Sequence, residues 1–220
     1  MEFINPKTNF AFKKIFGSSE NKDILISFLN ALIYDGEPTI RDVEILDPYS
    51  FPQFQELKDV CLNVKARLNN GIIVIVEIQF LSVKAFKKQP FYNAAKVYSQ
   101  QLARGRNSRN LKSVINLTIT NLVLFPESIR IVSHVVLKER DSDLRYIENG
   151  IELIFVELPK FLKKIEELDN LTDRWLYFMK NSRNLELSRE KTRTRRMGSR
   201  DRASTPHPSR PRSDRANDRD

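Results

Sequence analysis

The segment "GIIVIVEIQF", residues 71–80, sets a carboxylate, Glu77, and a carboxamide, Gln79, into an otherwise apolar run, and "VCLNVKARL", residues 60–68, adds Asn63 just before it. Strand alternation sorts these residues by face. Val60, Leu62, Val64, Ala66 and Leu68 share one side of the first segment, with Cys61, Asn63, Lys65 and Arg67 on the other. In the second, Ile72, Val74, Val76, Ile78 and Phe80 lie opposite Ile73, Ile75, Glu77 and Gln79. A two-residue turn at Asn70-Gly71 would pair Val64 with Glu77 and mix the faces. A three-residue loop, Asn69-Asn70-Gly71 with Gly71 in the left-handed region, instead pairs Leu68 with Ile72, Val64 with Val76 and Asn63 with Glu77. That register leaves one face wholly apolar and gathers Asn63, Glu77 and Gln79 on the other, their Cβ atoms ~5–8 Å apart. Clustered oxygen-bearing side chains in a sheet are a place for chemistry; a solvated sheet face, which needs no function, fits the pattern as well. Any metal chemistry would rest on oxygen ligands, because Cys61 is the only cysteine and His134 and His207 the only histidines, too few for a Cys/His zinc site.

The elements that must position this hairpin can be read around it. "NFAFKKIFGSS" predicts a short amphipathic helix with Phe10, Ile15 and Phe16 turned inward, and "NKDILISFLNALI" a second helix with Asn21 or Ser19 as its cap. "DVEIL" predicts a short strand. "FKKQPFYNAAKVYSQQLARG" predicts a helix started or kinked by Pro90 and ended by Gly105. "SVINLTIT", "IRIVSHVVL" and "GIELIFVEL" read as strands, and "LPKFLKKIEEL" and "LTDRWLYFMKN" as closing helices. His134 alternates with apolar neighbours and reads as a packing or surface residue, Trp175 as helix packing. No Ser/His/Asp set, Gly-rich phosphate loop or dinucleotide fingerprint is present.

With 220 residues and 40% hydrophobic content, the chain can build one sizeable core. The net charge of +9 is unevenly spread: residues 189–220 hold 11 basic and 5 acidic residues, a net +6, which leaves +3 for residues 1–188. The Arg-rich stretch 189–220 has almost nothing apolar to offset its ordering entropy, so we expect a folded domain over 1–188 and a disordered Arg/Ser/Pro-rich tail over 189–220. A phosphate-clinging arm and an extension without function, such as a frameshift product, both fit that tail; the composition favours the latter. No stretch approaches the ~18–20 apolar residues of a membrane span, and "MEFINPKTNFAFKK" lacks a signal-peptide core, so a cytoplasmic protein with no membrane partner is expected.

Five collinear segments, "NPKTNFAFKKIFGSSENKDILISFLNALI", "RDVEILDP", "LNVKARLNNGIIVIVEIQF", "FYNAAKVYSQQLARG" and "ELPKF", resemble the PD-(D/E)XK nuclease family transposases, the Rpn-like recombination-promoting nucleases, over residues 5–187. The resemblance implies an α/β fold with a restriction-endonuclease-like core, a mixed sheet flanked by helices, that cuts DNA with Mg2+ or Mn2+. It implies an active site made of an Asp in the first hairpin strand and Glu-x-Gln in the second. Glu77 and Gln79 match the latter; the Asp position falls on Asn63 of "LNVKA". By the same resemblance the metal ligands are Glu77, Asn63 and the Ile78 carbonyl. On that nuclease reading Lys65, Lys87, Lys88 and Lys96 could line a groove that tracks DNA phosphates; for the lysines around the helix an ordinary solvated helix face is the alternative. Lys84, Arg104, Arg106 and Arg109 could extend that groove. Asn63 offers a carbonyl of similar shape to Asp but removes one of two formal charges, a serious loss for an ion that dehydrates reluctantly. Asp59 shares its face but lies ~13 Å away along the strand. Asn9 also departs from the family's "KTDFAFKK". Two readings follow: a metal-dependent endonuclease of transposase type impaired at Asn63, or a catalytically dead DNA-binding or interaction protein, a decayed mobile-element copy. Pairing into a homodimer is left open.

Overall fold

The three most apolar strand-like segments become parallel neighbours in the middle of one sheet. Such strands are buried on both faces and so need apolar residues at almost every position. The computed structural model describes residues 8–46, 64–79, 88–102, 108–145 and 150–182. In it β1 (Val43–Leu46), β2 (Val64–Leu68), β3 (Ile73–Gln79), β4 (Val114–Thr120), β5 (Val132–Val136) and β6 (Ile151–Glu157) form a six-stranded sheet in the order β1-β2-β3-β4-β6-β5. Strands β3, β4 and β6 run parallel, and the remaining pairs are antiparallel. Helices α1 (Asn9–Phe16), α2 (Lys22–Ile33) and α4 (171–182) pack on one face; α3 (Gln89–Gln100) covers the other. A mixed sheet flanked by helices is the α/β architecture of a restriction-endonuclease-like core.

The hairpin has the expected register. Val64 lies across from Val76, Lys65 from Ile75 and Ala66 from Val74, and the Leu68 N–H donates to the Ile72 carbonyl at 2.8 Å. Gly71 has φ +86°, a region an L side chain enters only with strain, and the Asn70 side chain accepts from the Ile72 N–H. The expected partner pair Asn63–Glu77 continues this register, but Asn63 lies outside the described residues. On the all-apolar side, Val64, Ala66, Leu68, Val74, Val76 and Ile78 join Ile115, Leu117, Ile119, Ile154 and Val156 in the larger core. Phe12, Phe16 and Phe28 complete it, with Phe12 and Phe16 centroids 4.3 Å apart and Trp175 closing over Phe28 at 5.3 Å.

Three expectations need correction. In α1 it is Phe12, not Phe10, that turns inward with Phe16. The Thr8 hydroxyl caps the helix by accepting from Ala11 N–H, which sets a phase that stacks residues 12 and 16 and leaves Phe10 71% exposed. The helix expected over "LPKFLKKIEEL" is absent: only 3-10 turns form at Leu158–Lys160 and Ile165–Glu167, with Phe161 extended between them. Tertiary contacts replace the helical ladder. Lys180 from α4 donates to the Phe161 and Pro159 carbonyls, and Lys163 reaches Asp173 at 2.6 Å. This path buries Phe161 while Leu162 and Ile165 stay in solvent. In α2, Asn21 sits at the N-cap position, yet its amide bonds the Lys14 carbonyl rather than capping the helix.

Candidate active site

Glu77 faces away from the larger core, as the alternation requires, but the face it occupies is not solvated. Pro90, Asn93, Ala94 and Val97 of α3 recur at helical spacing, and they seal Ile73, Ile75, Val114, Leu153 and Phe155 into a second core. Glu77, only 6% exposed, lies at the edge of that layer. The alternative of a solvated sheet face expected hydration here; instead α3 roofs the carboxylate.

Two amides hold it. Asn93 Nδ2 donates to Glu77 Oε1 at 2.8 Å, and Asn116 Nδ2 from β4 donates to the same oxygen at 2.9 Å. Asn116 also donates to the Pro90 carbonyl at 3.2 Å, while the Thr118 hydroxyl donates to Asn116 Oδ1 at 2.8 Å. The donors run in one direction, from Thr118 through Asn116 to Glu77. The Asn116 amide orientation is thereby fixed, because reversing it would set oxygen against oxygen at Glu77. All three supporting residues are fully buried. Burial drives the Glu77 carboxyl up from 4.5 to about 7, against the pull of the Asn93 and Asn116 hydrogen bonds, which favour the charged form. Asn93 Oδ1 is buried and has no hydrogen-bond partner among the described residues.

The other candidates are distributed unevenly. Gln79 ends β3, half-buried beside Thr120 in the ladder, and the Ile78 side chain belongs to the opposite, apolar face. Gln79, Thr120 and Glu157 form a row at the carboxyl ends of the three parallel strands, the end at which open α/β sheets place their ligands. Lys65 shares the Glu77 face but is 2% exposed. Lys88 is exposed at the start of α3 and Lys96 half-buried on it, its Nζ 5.9 Å from the Tyr92 ring centroid; Arg109 is exposed. Asn63, Asp59, Cys61, Lys84, Lys87, Arg104 and Arg106 lie outside the described residues. His134 pairs with Glu152 at 2.7 Å on the surface, a surface role as expected.

Asn93, Asn116 and Thr118 were not among the residues singled out from sequence. A signal for each was present: Asn93 is the one polar residue in the inward stripe of its helix, and "INLTIT" alternates apolar residues with Asn116, Thr118 and Thr120. Among the described residues, no group of three or more His, Cys, Asp or Glu side chains stands where it could hold a metal ion. The donors that are present, a buried carboxylate and an unmatched amide oxygen, are hard oxygen ligands and so suit magnesium or manganese in kind. No described helix is long and apolar enough to cross a membrane.

Comparison with curated proteins and with solved structures returns no match. The family model for PD-(D/E)XK nuclease family transposases matches residues 6–204, most of the chain. With a mixed sheet, a Glu-x-Gln at the end of its central strand and a match of that length, the chain belongs to the PD-(D/E)XK nuclease family transposases.

Proposed function

We propose that this protein is a metal-dependent DNA endonuclease of transposase or recombination type whose activity is weakened by Asn63. The observation that carries the reading is Glu77: a carboxylate withdrawn from water, held by two amides at one oxygen, two residues before Gln79. A buried carboxylate with no ion pair among the described residues is costly, and sites that bind or transform ligands are where such groups are kept. Glu77, Asn63 and the Ile78 carbonyl would hold Mg2+ or Mn2+. When bound, the ion supplies a Lewis acid for the phosphate and lowers the pKa of water. The chain's own residues do the rest. Glu77 would bind in one orientation because Asn93 and Asn116 fix it, and Gln79, on the same face of β3, would orient a polar group of the substrate. α3 excludes bulk water. Lys88 and Lys96, with Lys87, would meet the DNA backbone, where each phosphate contact adds salt-sensitive affinity; Lys65, expected there from sequence, is 2% exposed and too buried to join them.

We assign this activity to residues 1–188 in the cytoplasm, and none of it to 189–220, whose composition offers no core. Truncation after residue 188 should leave the melting temperature unchanged. A homodimer cutting two strands belongs to the same proposal, tested by sedimentation on DNA. The test of the whole reading is nicking of supercoiled plasmid with manganese. The chain as written should cut feebly, and Asn63→Asp should restore cutting by returning the missing charge at nearly unchanged volume. Asn63→Asp combined with Glu77→Ala should be dead. If the unaltered chain already nicks at a rate that Glu77→Ala abolishes, impairment is refuted. If Asn63→Asp neither binds metal nor cuts, a DNA-binding or interaction protein without catalysis becomes the better reading, one favoured by the lone carboxylate of the described site.

A further inference from the structure

Asn93 is an expensive residue in its place. It occupies an inward position of α3 between Pro90 and Val97, where an apolar side chain of the same volume would pack, and it leaves a buried carbonyl oxygen without a donor among the described residues. An unmatched buried acceptor costs ~1–3 kcal/mol. Turning the amide over would not remove the cost, because Oδ1 would then face the Glu77 oxygen at the 2.8 Å now spanned by the N–H. The orientation is thus set by Glu77, and Oδ1 is left for something else. Oδ1 and Nδ2 share one carbon, so Oδ1 stands within about 5 Å of Glu77 Oε1, a gap that a single water or cation-bound water spans with ordinary hydrogen bonds. Asn116 next to it shows the contrast: its Oδ1 is matched by Thr118.

We propose that Asn93 is a positioning residue with two hands, its N–H fixing Glu77 and its Oδ1 accepting a hydrogen from water in the shell of a divalent cation bound by Glu77. The inference rests on the metal-site reading above and goes beyond it, since Asn93 was no part of the expected ligand set. Both hands point at one ligand class: a hydrated, oxygen-preferring dication. Groups outside a ligand shell that orient it and its waters typically change metal affinity 10- to 100-fold when removed.

The test is calorimetric titration of Mn2+ into the full chain carrying Asn63→Asp, with folding checked by circular dichroism and by the metal-free melting temperature. Asn93→Leu should bind Mn2+ 10- to 100-fold more weakly, while Asn93→Asp, which keeps an acceptor at the Oδ1 place but sets its second oxygen against Glu77 Oε1, should lose less than Asn93→Leu. Ser99→Ala, on the exposed side of α3, should bind as the parent does. If Asn93→Leu does not fold, Asn93→Val carries the same expectation. Should Glu77→Gln abolish binding while Asn93→Leu retains it, Oδ1 holds at most a structural water and the proposal is overturned with the metal site intact. Equal losses in Asn93→Leu and Asn93→Asp overturn the acceptor role. If Glu77→Gln binds as the parent does, or the parent binds no Mn2+, the metal-site reading fails and the proposal with it.

Discussion

Two glutamates are buried on the same face of this sheet, two strands apart, and they are treated in opposite ways. Glu157, at the end of β6, accepts from the Leu124 and Phe125 N–H groups at 2.5 and 3.2 Å and from Lys160 Nζ at 2.7 Å. Lys160 in turn donates to the Phe125 carbonyl at 2.8 Å. That carboxylate is a clamp: its charge is balanced and it pins the turn after β4. Glu77 is held by neutral amides at one oxygen, with no balancing cation beside it among the described residues. A carboxylate that serves the fold acquires a cation from its own chain. Without one, burial favours the protonated form, and the Glu77 carboxyl is raised to about 7.

The contrast can be broken by exchange, and the largest effect is expected at the clamp. Glu157→Ala strands Lys160 in a nearly dry site and frees two backbone N–H groups, so unfolding in urea should show a loss of about 3–5 kcal/mol. Glu77→Gln should do the reverse at pH 8 without metal: it removes an ionised buried group while keeping an oxygen for both amides, and should stabilise the protein by up to about 2–3 kcal/mol. If Glu77→Gln destabilises as much as Glu157→Ala, the two carboxylates are alike and Glu77 is structural.

The pH dependence sharpens the same point. Glu77 holds its proton more tightly folded, at about 7, than unfolded, near 4.5. The folded state therefore binds the extra proton between those values. This contribution to stability is complete below pH 4.5 and is lost as pH rises through about 7. Denaturant midpoints of metal-free protein across pH 5–8 should fall with pH, and Glu77→Gln should flatten the decline. The smallest effect is expected from Thr118→Val, which leaves Asn116 Oδ1 without its donor at a cost of about 1–2 kcal/mol, read as a melting shift of a few degrees.

What could be read in advance follows the range of the interactions. The hairpin register was legible because only an even pairing keeps Val64, Ala66, Val74 and Val76 together, and Gly71 marks the loop; both signals are local. The face of Glu77 was legible for the same reason, but what covers that face was not. Asn93 and Asn116 reach Glu77 from 16 and 39 residues away, through a parallel pairing that no alternation within one strand encodes. The segment after β6 was misread as helix because its backbone is held by Lys180, 19 residues further on. Phe10 was misplaced through helix phase, which the Thr8 cap decides. The position of Asn63 is expected from the register and lies outside the described residues.

The parallel pairing of β3 with β4 carries a further consequence for synthesis. A parallel partner cannot come from a tight turn, so one edge of β3 waits while the residues up to 113 are made. During that wait "IIVIV" is an apolar, β-branched run with an unpaired edge, the type of segment that associates between chains. Glu77, solvated and charged until Asn116 arrives, and Gln79 beside it interrupt that run as gatekeepers. The same carboxylate thus keeps the nascent strand soluble before the sheet closes over it, so Glu77→Val should raise aggregation during expression even if the finished fold tolerates the change.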